Sequence, residues 1–243
     1  MLRSLWETEA AFLFQNAFTS PGLYGNHRVM RTFAIGDIHG CLEKLEDLLA
    51  RIRPESDDSL IFLGDYIDRG DFPKEVVDRL IDLSSSARCI FLRGNHEDMF
   101  LDYLEWGRNR DLYLANGGGS TIRSYTDEWI QTPTLIARSL PPEHRVFYER
   151  LTWYYEDDDY IYVHAGIKPG ISLYQQAHPD LVWIRDEFIF APTGMPKKVI
   201  FAHTPFTQPF VRPDKIGIDT GAVYGGCLTA IELPSERFVQ SFR

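Results

Sequence analysis

Three short polar segments, each directly after an apolar run, constrain the fold more than any other feature of this sequence. They are G-D-I-H-G at 36–40, G-D-Y-I-D-R-G at 64–70 and G-N-H-E at 94–97. The preceding runs, at 31–35, 59–63 and 89–92, have the length and apolar content of buried strands. A helical pattern follows each segment, so right-handed crossovers predict a parallel sheet. The polar side chains would then meet at the carboxyl edge of that sheet, where open α/β sheets form their sites.

The residue types in these segments are those of a metal site. Carboxylate, imidazole and amide oxygen are the ligands that a divalent transition metal accepts. Two further histidines close apolar runs at 160–163 and 199–202. In chain order the candidate ligands suffice for two metals that share one carboxylate. They are Asp37, His39, Asp65, Asn95, His164 and His203.

With these motifs the chain resembles, from about residue 31 to about residue 233, the metal-dependent phosphoesterases of the calcineurin-like fold. The resemblance is strongest to the phosphoprotein-phosphatase family, particularly its small bacterial and phage members. It implies an α/β fold, a four-layer α/β/β/α sandwich of two mixed sheets. It also implies two divalent metal ions, for which we expect Mn²⁺, with Fe²⁺ or Zn²⁺ as alternatives.

The resemblance assigns each ligand to an ion. Residues two apart on a strand point the same way, so Asp37 and His39 can bind one ion together. By resemblance they bind the first metal, and Asp65 bridges both. The second metal is completed by the remaining three ligands, Asn95, His164 and His203.

The implied chemistry is direct attack of a metal-bridging hydroxide on phosphorus, without a phosphoenzyme. His96 follows the ligand Asn95 and cannot easily point at the same ion, which leaves it free to protonate the leaving group. A nearby carboxylate favours the imidazolium form that this role requires. Asp68 matches that partner in the family pattern, and a helix-capping role is the alternative for this residue.

Three arginines are candidates for holding the phosphate, because the guanidinium fork suits its tetrahedral oxygens. Arg69 and Arg93 flank metal ligands and match phosphate-binding arginines of the family. Arg185 resembles a third arginine of bacterial members. Packing against the neighbouring Trp183, or pairing with the acids at 186–187, is the alternative for Arg185.

Residues 108–150 lie between the third and fourth ligand motifs, where a cap-like insert would shape substrate choice. Tyr113, Tyr125 and Trp129 are candidates for substrate contact, with packing of the insert onto the body as the alternative. The glycine run at 116–119 lacks the lysine and serine of a P-loop and is predicted to be a flexible turn. The later segment 219–222, D-T-G-A, resembles a family motif and is expected to shape the pocket wall.

The leading hypothesis for function is a phosphomonoesterase that acts on phosphoserine or phosphothreonine in proteins. The main alternative is hydrolysis of symmetrical dinucleoside tetraphosphates or of another small phosphate ester. Enzymes of that type commonly have alanine before the arginine of the second motif and G-N-H-D as the third. This chain has Asp68 and Glu97 there, which favours the phosphoprotein type. A metal-binding interaction protein without catalysis is disfavoured, because all six ligands are kept.

Composition limits the remaining possibilities. A chain of 243 residues, 44% hydrophobic, can form one catalytic domain at 31–243. We expect residues 1–30 to be an N-terminal arm of unknown role, either packed on the body or upstream of a true start at Met30. A net charge of −10 argues against a nucleic-acid partner.

The partners and the location follow from similar arguments. No apolar run approaches the roughly 18–20 residues of a membrane span, so no membrane partner is expected. Three cysteines without metal-binding spacing indicate a reducing, cytoplasmic location. The expected partner is a phosphorylated protein or a small phosphate ester, and the oligomeric state is left open.

Overall fold

The structure is a computed structural model that describes residues 30–126 and 132–242. The predicted N-terminal arm, except for Met30, and Trp129 of the insert lie outside the described residues. Within the described ranges, no helix has the length and apolar character needed to cross a bilayer.

The following strands and helices make up this part of the chain. The strands are β1 (Thr32–Ile35), β2 (Ser59–Phe62), β3 (Arg88–Phe91), β4 (Tyr154–Glu156), β5 (Tyr160–Val163), β6 (Lys198–Phe201), β7 (Phe210–Arg212), β8 (Lys215–Gly217), β9 (Thr229–Leu233) and β10 (Arg237–Gln240). The helices are α1 (Leu42–Ile52), α2 (Pro73–Ser84), α3 (Asn95–Trp106), α4 (Arg110–Ala115), α5 (Gly119–Tyr125), α6 (Pro133–Ser139), α7 (Pro142–Glu149), α8 (His178–Trp183) and α9 (Asp186–Phe190).

The strands form two mixed sheets of five strands each. The first sheet has the order β10-β9-β1-β2-β3, with β1, β2 and β3 parallel. The second has the order β4-β5-β6-β8-β7, with β5, β6 and β8 parallel. The remaining neighbours in both sheets are antiparallel. The predicted parallel sheet is therefore confirmed.

Alternating side chains divide the interior into layers. On β1, Phe33 and Ile35 join an apolar core with α1, α2 and the insert helices, whereas Ala34 faces the second sheet. On β6, Ile200 belongs to the core between the two sheets, and Phe201 packs with α8 and α9 on the outer face. Period-two burial on strands of both sheets thus produces the four-layer α/β/β/α sandwich that the sequence predicted.

The second half of the chain has its own topology. The strand-rich sequence after residue 151 predicts an antiparallel half, but this prediction is wrong, because β5, β6 and β8 are parallel. The helices α8 and α9 supply the crossover from β5 to β6 on the outer face of the second sheet. The last two strands, β9 and β10, return to the first sheet, where β9 pairs antiparallel with β1. Both faces of β9 are apolar, with Ala230 toward the helical core and Ile231 between the sheets.

The insert helices belong to the helical layer of the first sheet. Buried residues from α4, α5, α6 and α7 lie in the same apolar core as α1 and α2. Aromatic rings of the insert pack against α3. The Phe100 ring of α3 contacts the rings of Tyr113 and Tyr148. Large aromatic side chains contribute much of the apolar surface that is buried in such a layer. The insert is therefore fixed to the sheet that carries the first three motifs.

Candidate active site

All six predicted metal ligands lie just beyond the carboxyl ends of parallel strands. Asp37 and His39 follow β1, Asp65 follows β2, and Asn95 follows β3. The second sheet contributes two imidazoles, from His164 after β5 and His203 after β6. All six side chains are buried, with at most 5% of each residue exposed. Packing the two sheets face to face therefore brings their ligand-bearing edges together.

The side chain of Asp65 lies between two groups of imidazoles. One group consists of Asp65 with His39 and His96, and the other of Asp65 with His164 and His203. Asp65 Oδ2 lies 3.5 Å from His39 Nε2, and Asp65 Oδ1 lies 3.4 Å from His164 Nε2. Each oxygen of one carboxylate thus faces a different group, as a bridging ligand requires.

The hydrogen bonds of the imidazoles fix which ring nitrogen carries the proton. His39 Nδ1 lies 2.8 Å from the Ile67 carbonyl, and His164 Nδ1 lies 2.8 Å from the Leu63 carbonyl. A carbonyl only accepts, so each Nδ1 is the donor and each neutral ring keeps a lone pair on Nε2. His164 Nε2 then lies 3.0 Å from Asn95 Oδ1, so two acceptors face each other. A cation between them would satisfy both.

The His203 ring gives a second indication that the site fits a cation. Its Nε2 is buried and has no hydrogen-bond partner in the described structure. Burial lowers the pKa of His203 to about 2 and that of His39 to about 3, so both rings are neutral. Histidine binds metals as the neutral imidazole, and aspartate binds them as the ionised carboxylate. The donor set therefore fits divalent ions.

Negative charge is concentrated at the same place. Burial together with the neighbouring Asp219 and Asp65 raises the pKa of Asp37 well above its usual range. Burial also acts to raise the pKa of Asp65, but the imidazoles of His164, His96 and His39 outweigh it and the pKa falls below its usual value. The ionised Asp65 is thus the charge around which the histidines are arranged.

The backbone of the ligand loops is strained. His39, Asp65, Asp68 and His203 all have positive φ angles, between 47° and 69°. Non-glycine residues rarely adopt this conformation, and such strain persists only where surrounding contacts hold it. In this chain the strained residues coincide with the ligands and their neighbours.

Glu97 supplies one of those contacts. Its carboxylate accepts hydrogen bonds from the backbone N–H groups of Asp65, Tyr66 and Gly94, at 2.8 to 3.0 Å. The loop carrying Asp65 is thereby tied to the start of α3, which carries Asn95. Gly94 permits the close approach, because a Cβ there would lie 2.1 Å from Asp65 Oδ1. The third motif, at 94–97, therefore positions the candidate ligand Asp65 as well as supplying Asn95.

His96 and Asp68 form a buried pair beside the first imidazole group. His96 Nδ1 lies 2.6 Å from Asp68 Oδ2, and both side chains are fully buried. Burial acts to lower the pKa of His96, but the charges of Asp65 and the hydrogen-bonded Asp68 outweigh it and the pKa is raised. His96 Nε2 has no hydrogen-bond partner among the described residues. The pairing disfavours the helix-capping alternative for Asp68.

Two tyrosines of the insert, Tyr113 and Tyr125, are buried in the interior. Tyr113 is fully buried and its hydroxyl lies 2.8 Å from Asp68 Oδ1. Tyr125 is also buried, with its hydroxyl 2.7 Å from His144 Nδ1. The expectation that these two tyrosines contact substrate is therefore wrong, because both rings lie in the helical core.

The glycine run is packed instead of being the flexible turn that was expected. Gly117 has a φ angle of 99°, and a Cβ on it would lie 2.7 Å from the Arg69 side chain. A Cβ on Gly118 would lie 2.4 Å from the Tyr113 ring. Glycine is required here for close approach between the insert and the second motif.

The three candidate arginines make different contacts in the structure. Arg69 Nη1 donates to His39 Nε2 at 2.5 Å, and its guanidinium lies over the exposed Tyr224 ring. Arg93 pairs with Asp98 at 2.9 Å and lies over a Trp ring, that of residue 153. Arg185 is exposed, and its positive charge contributes to lowering the pKa of both His164 and His203, after burial. Within the described ranges Arg185 forms no ion pair with the acids at 186–187.

Comparisons with known proteins agree with this geometry. A sequence profile described as calcineurin-like phosphoesterase matches residues 30–226. The chain belongs to the calcineurin-like phosphoesterase family.

The relatives of this chain include enzymes with two different assigned activities. A bis(5'-nucleosyl)-tetraphosphatase PrpE [asymmetrical] of Anoxybacillus flavithermus is 27% identical over 82% of this chain and 89% of its own. A serine/threonine-protein phosphatase 1 of Salmonella typhimurium is 30% identical over 81% of this chain and 89% of its own. The protein is therefore a metallophosphoesterase, related to phosphatases of both kinds.

Solved structures show the same fold. The crystal structure of a putative diadenosine tetraphosphatase gives a TM-score of 0.67 at 24% identity, covering 88% of this chain and 94% of that chain. A protein serine/threonine phosphatase from Saccharomyces cerevisiae, with similarity to human phosphatase PP5, gives a TM-score of 0.60 at 15% identity. That match covers 88% of this chain and 80% of that chain.

In this metallophosphoesterase, the loop with the D-T-G-A segment closes one side of the site. Asp219 is buried beside Asp37, and burial raises its pKa to about 6. The Lys44 ammonium, from α1, donates to the carbonyls of Ala222 and Gly226 at 2.8 and 2.5 Å. No local pattern connects Lys44 with this loop, since its partners lie 178 and 182 residues away in the chain.

We expect Asp65→Ala to abolish binding of both metal ions, because its two oxygens face the two imidazole groups. Elemental analysis of the Mn²⁺-saturated, desalted variant should give no retained metal, against two ions per chain for the parent protein. Asp82→Ala, which removes an exposed carboxylate from α2, should retain both ions. Loss of a single ion from Asp65→Ala would contradict the bridging role.

Proposed function

We propose that the protein is a phosphomonoesterase that hydrolyses phosphoserine and phosphothreonine in proteins. The observation that supports this most is the buried pair of His96 and Asp68, with 2.6 Å between Nδ1 and Oδ2. Serine and threonine leave as alkoxides, which are strongly basic and require a proton as the ester bond breaks. An imidazole held protonated by a carboxylate meets that requirement. A nucleotide leaving group, by contrast, is weakly basic and depends less on an acid.

The proposed metal ligands are the six buried side chains at the strand ends. Asp37 and His39 would hold the first ion, Asp65 both ions, and the remaining three ligands, Asn95, His164 and His203, the second. Two divalent ions, with Mn²⁺ expected and Fe²⁺ or Zn²⁺ as alternatives, supply charge neutralisation at phosphorus and an activated water when bound.

In this proposal His96 delivers the proton to the leaving oxygen. Its Nδ1–H donates to Asp68, so Nε2, which has no other partner in the described structure, is the nitrogen from which the proton is transferred. As a water oxygen forms a bond to phosphorus, the P–O ester bond breaks, its electron pair goes to the leaving oxygen, and that oxygen takes the Nε2 proton. Asp68 stabilises the imidazolium before transfer and fixes the ring orientation.

Arg69 and Arg93 would bind the phosphoryl oxygens. The Arg93 guanidinium is held by the ion pair with Asp98 and by stacking over Trp153, whose ring also stacks on His178 at 4.0 Å. Such contacts reduce the conformational freedom that the arginine would lose on binding phosphate. Arg185, exposed near the second imidazole group, is a third candidate.

Hydrolysis of a dinucleoside tetraphosphate is the second candidate function. Two observations favour it: relatives at 27% identity carry that name, in its asymmetrical form, and Tyr224 is 64% exposed beside Arg69. The face of an exposed tyrosine ring suits stacking of a nucleobase. The candidate substrates therefore fall into two classes, which differ in the leaving group.

A direct comparison of substrates tests the proposal. With Mn²⁺-saturated protein, we expect kcat/KM for a phosphoserine peptide to exceed that for diadenosine tetraphosphate, with a phosphotyrosine peptide as a third substrate. A higher kcat/KM for diadenosine tetraphosphate would reverse the choice between the two functions. No turnover of any substrate, including an aryl phosphate, would indicate an interaction protein.

His96→Ala should retain both ions and lose roughly 10²–10⁴-fold in kcat on alkyl phosphates, the range typical of a lost general acid. The loss should be smaller on aryl phosphates, whose leaving groups need less protonation. Asp68→Asn, which preserves shape but removes the charge next to His96, should show the same pattern with a smaller loss. Equal losses on alkyl and aryl esters would show that His96 is not the acid.

A further inference from the structure

Two side chains of the insert converge on the Asp68 carboxylate. Tyr113 comes from α4 and Thr121 from α5, and both residues are fully buried. The Tyr113 hydroxyl lies 2.8 Å from Asp68 Oδ1, and Thr121 Oγ1 lies 2.5 Å from the same oxygen. The other oxygen, Oδ2, accepts from His96. Each oxygen of the carboxylate therefore has a separate set of partners.

The directions of these hydrogen bonds are determined by the groups involved. The backbone N–H of Asp68 donates to Thr121 Oγ1 at 2.9 Å, so the threonine hydrogen is free to point at Asp68 Oδ1. Burial and the charge of Asp68 raise the pKa of Tyr113 well above its usual value, so its hydroxyl stays protonated and donates. An ionised carboxylate accepts all of these bonds and donates none. Asp68 is thereby held in one orientation by donors on both oxygens.

The insert also fixes the backbone that carries Asp68. Asp68 and Arg69 both have a φ angle of 69°, in the left-handed region that non-glycine residues rarely adopt. The Asp68 N–H bonds to Thr121, and the Arg69 N–H bonds to the Gly117 carbonyl at 3.2 Å. Strained turns of this kind persist where surrounding contacts define them. Here those contacts come from a segment about fifty residues further along the chain, at a separation of 53 for Thr121.

We propose that Tyr113 and Thr121 are positioning residues for proton delivery: they orient Asp68 so that its second oxygen aligns His96 with the leaving group. The inference rests on the proposed role of His96 as general acid. Neither residue contacts the substrate, because both are fully buried. They act through Asp68, so their removal changes the step in which the leaving group departs and leaves phosphate binding intact.

Tyr113→Phe and Thr121→Val test this, since each removes one hydroxyl with little change in shape. On a phosphoserine peptide, kcat should fall roughly 10-fold to 100-fold, as expected when a catalytic group is slightly misplaced, with KM nearly unchanged. On an aryl phosphate the loss should be clearly smaller. Thr121→Ser, which keeps a hydroxyl, should restore most of the peptide activity.

Tyr148→Phe is the matched control. Tyr148 is another buried tyrosine of the insert, but its hydroxyl bonds to the Tyr125 hydroxyl at 3.1 Å and not to Asp68. It should leave the ratio of peptide to aryl phosphate turnover unchanged. All variants are compared at equal metal content and after thermal unfolding has shown that they fold. If Tyr113→Phe does not fold, the comparison of Thr121→Val with Thr121→Ser decides.

A double-mutant cycle separates positioning from general support of the fold. If Tyr113 acts through His96, Tyr113→Phe should cause little further loss of peptide turnover in a His96→Ala background. The same loss in both backgrounds, or equal losses on peptide and aryl phosphate, would overturn the inference. Failure of the general-acid role itself is distinguished by His96→Ala alone, which would then lower alkyl and aryl turnover equally.

Discussion

The charge of Asp65 is the feature on which the rest of the site depends. One buried carboxylate lies between two imidazole groups, with its two oxygens facing His39 at 3.5 Å and His164 at 3.4 Å. The facing Nε2 atoms carry lone pairs, because each Nδ1 donates to a backbone carbonyl. Carboxylate oxygens and lone pairs that face one another in a buried space favour the binding of cations. Both sheets contribute to this arrangement, so the site exists only when the sandwich is assembled.

Positioning these ligands has an energetic cost that other parts of the chain offset. Left-handed backbone at His39, Asp65 and His203 costs of order 1–3 kcal/mol for each residue. Glu97 holds the Asp65 loop through backbone N–H groups, and Thr121 holds the Asp68 turn. The helical layer therefore supports the candidate site, because it holds the strained loops that carry the proposed metal ligands and the proposed acid.

Whether a feature of the structure could be predicted from the sequence depends on how far apart in the chain its interacting residues lie. Motifs after β1, β2 and β3 were predictable because apolar runs and the polar residues that end them are local signals. The crossover through α8 and α9, and the return of β9 to the first sheet, depend on long-range pairing and were missed. Contacts such as Tyr113 with Asp68 leave no periodic trace in the sequence. For that reason the same tyrosine was a candidate for substrate contact as well as for packing, although its hydroxyl contacts Asp68.

The central claim is a dinuclear metal centre bridged by Asp65, and electron paramagnetic resonance of the Mn²⁺-saturated protein tests it most directly. Ions held ~3.5–4 Å apart by a shared carboxylate are magnetically coupled. The spectrum should therefore change, as Mn²⁺ is added, from that of single ions to that of an exchange-coupled pair. A spectrum that keeps the hyperfine pattern of isolated Mn²⁺ ions at every metal ratio would contradict the account.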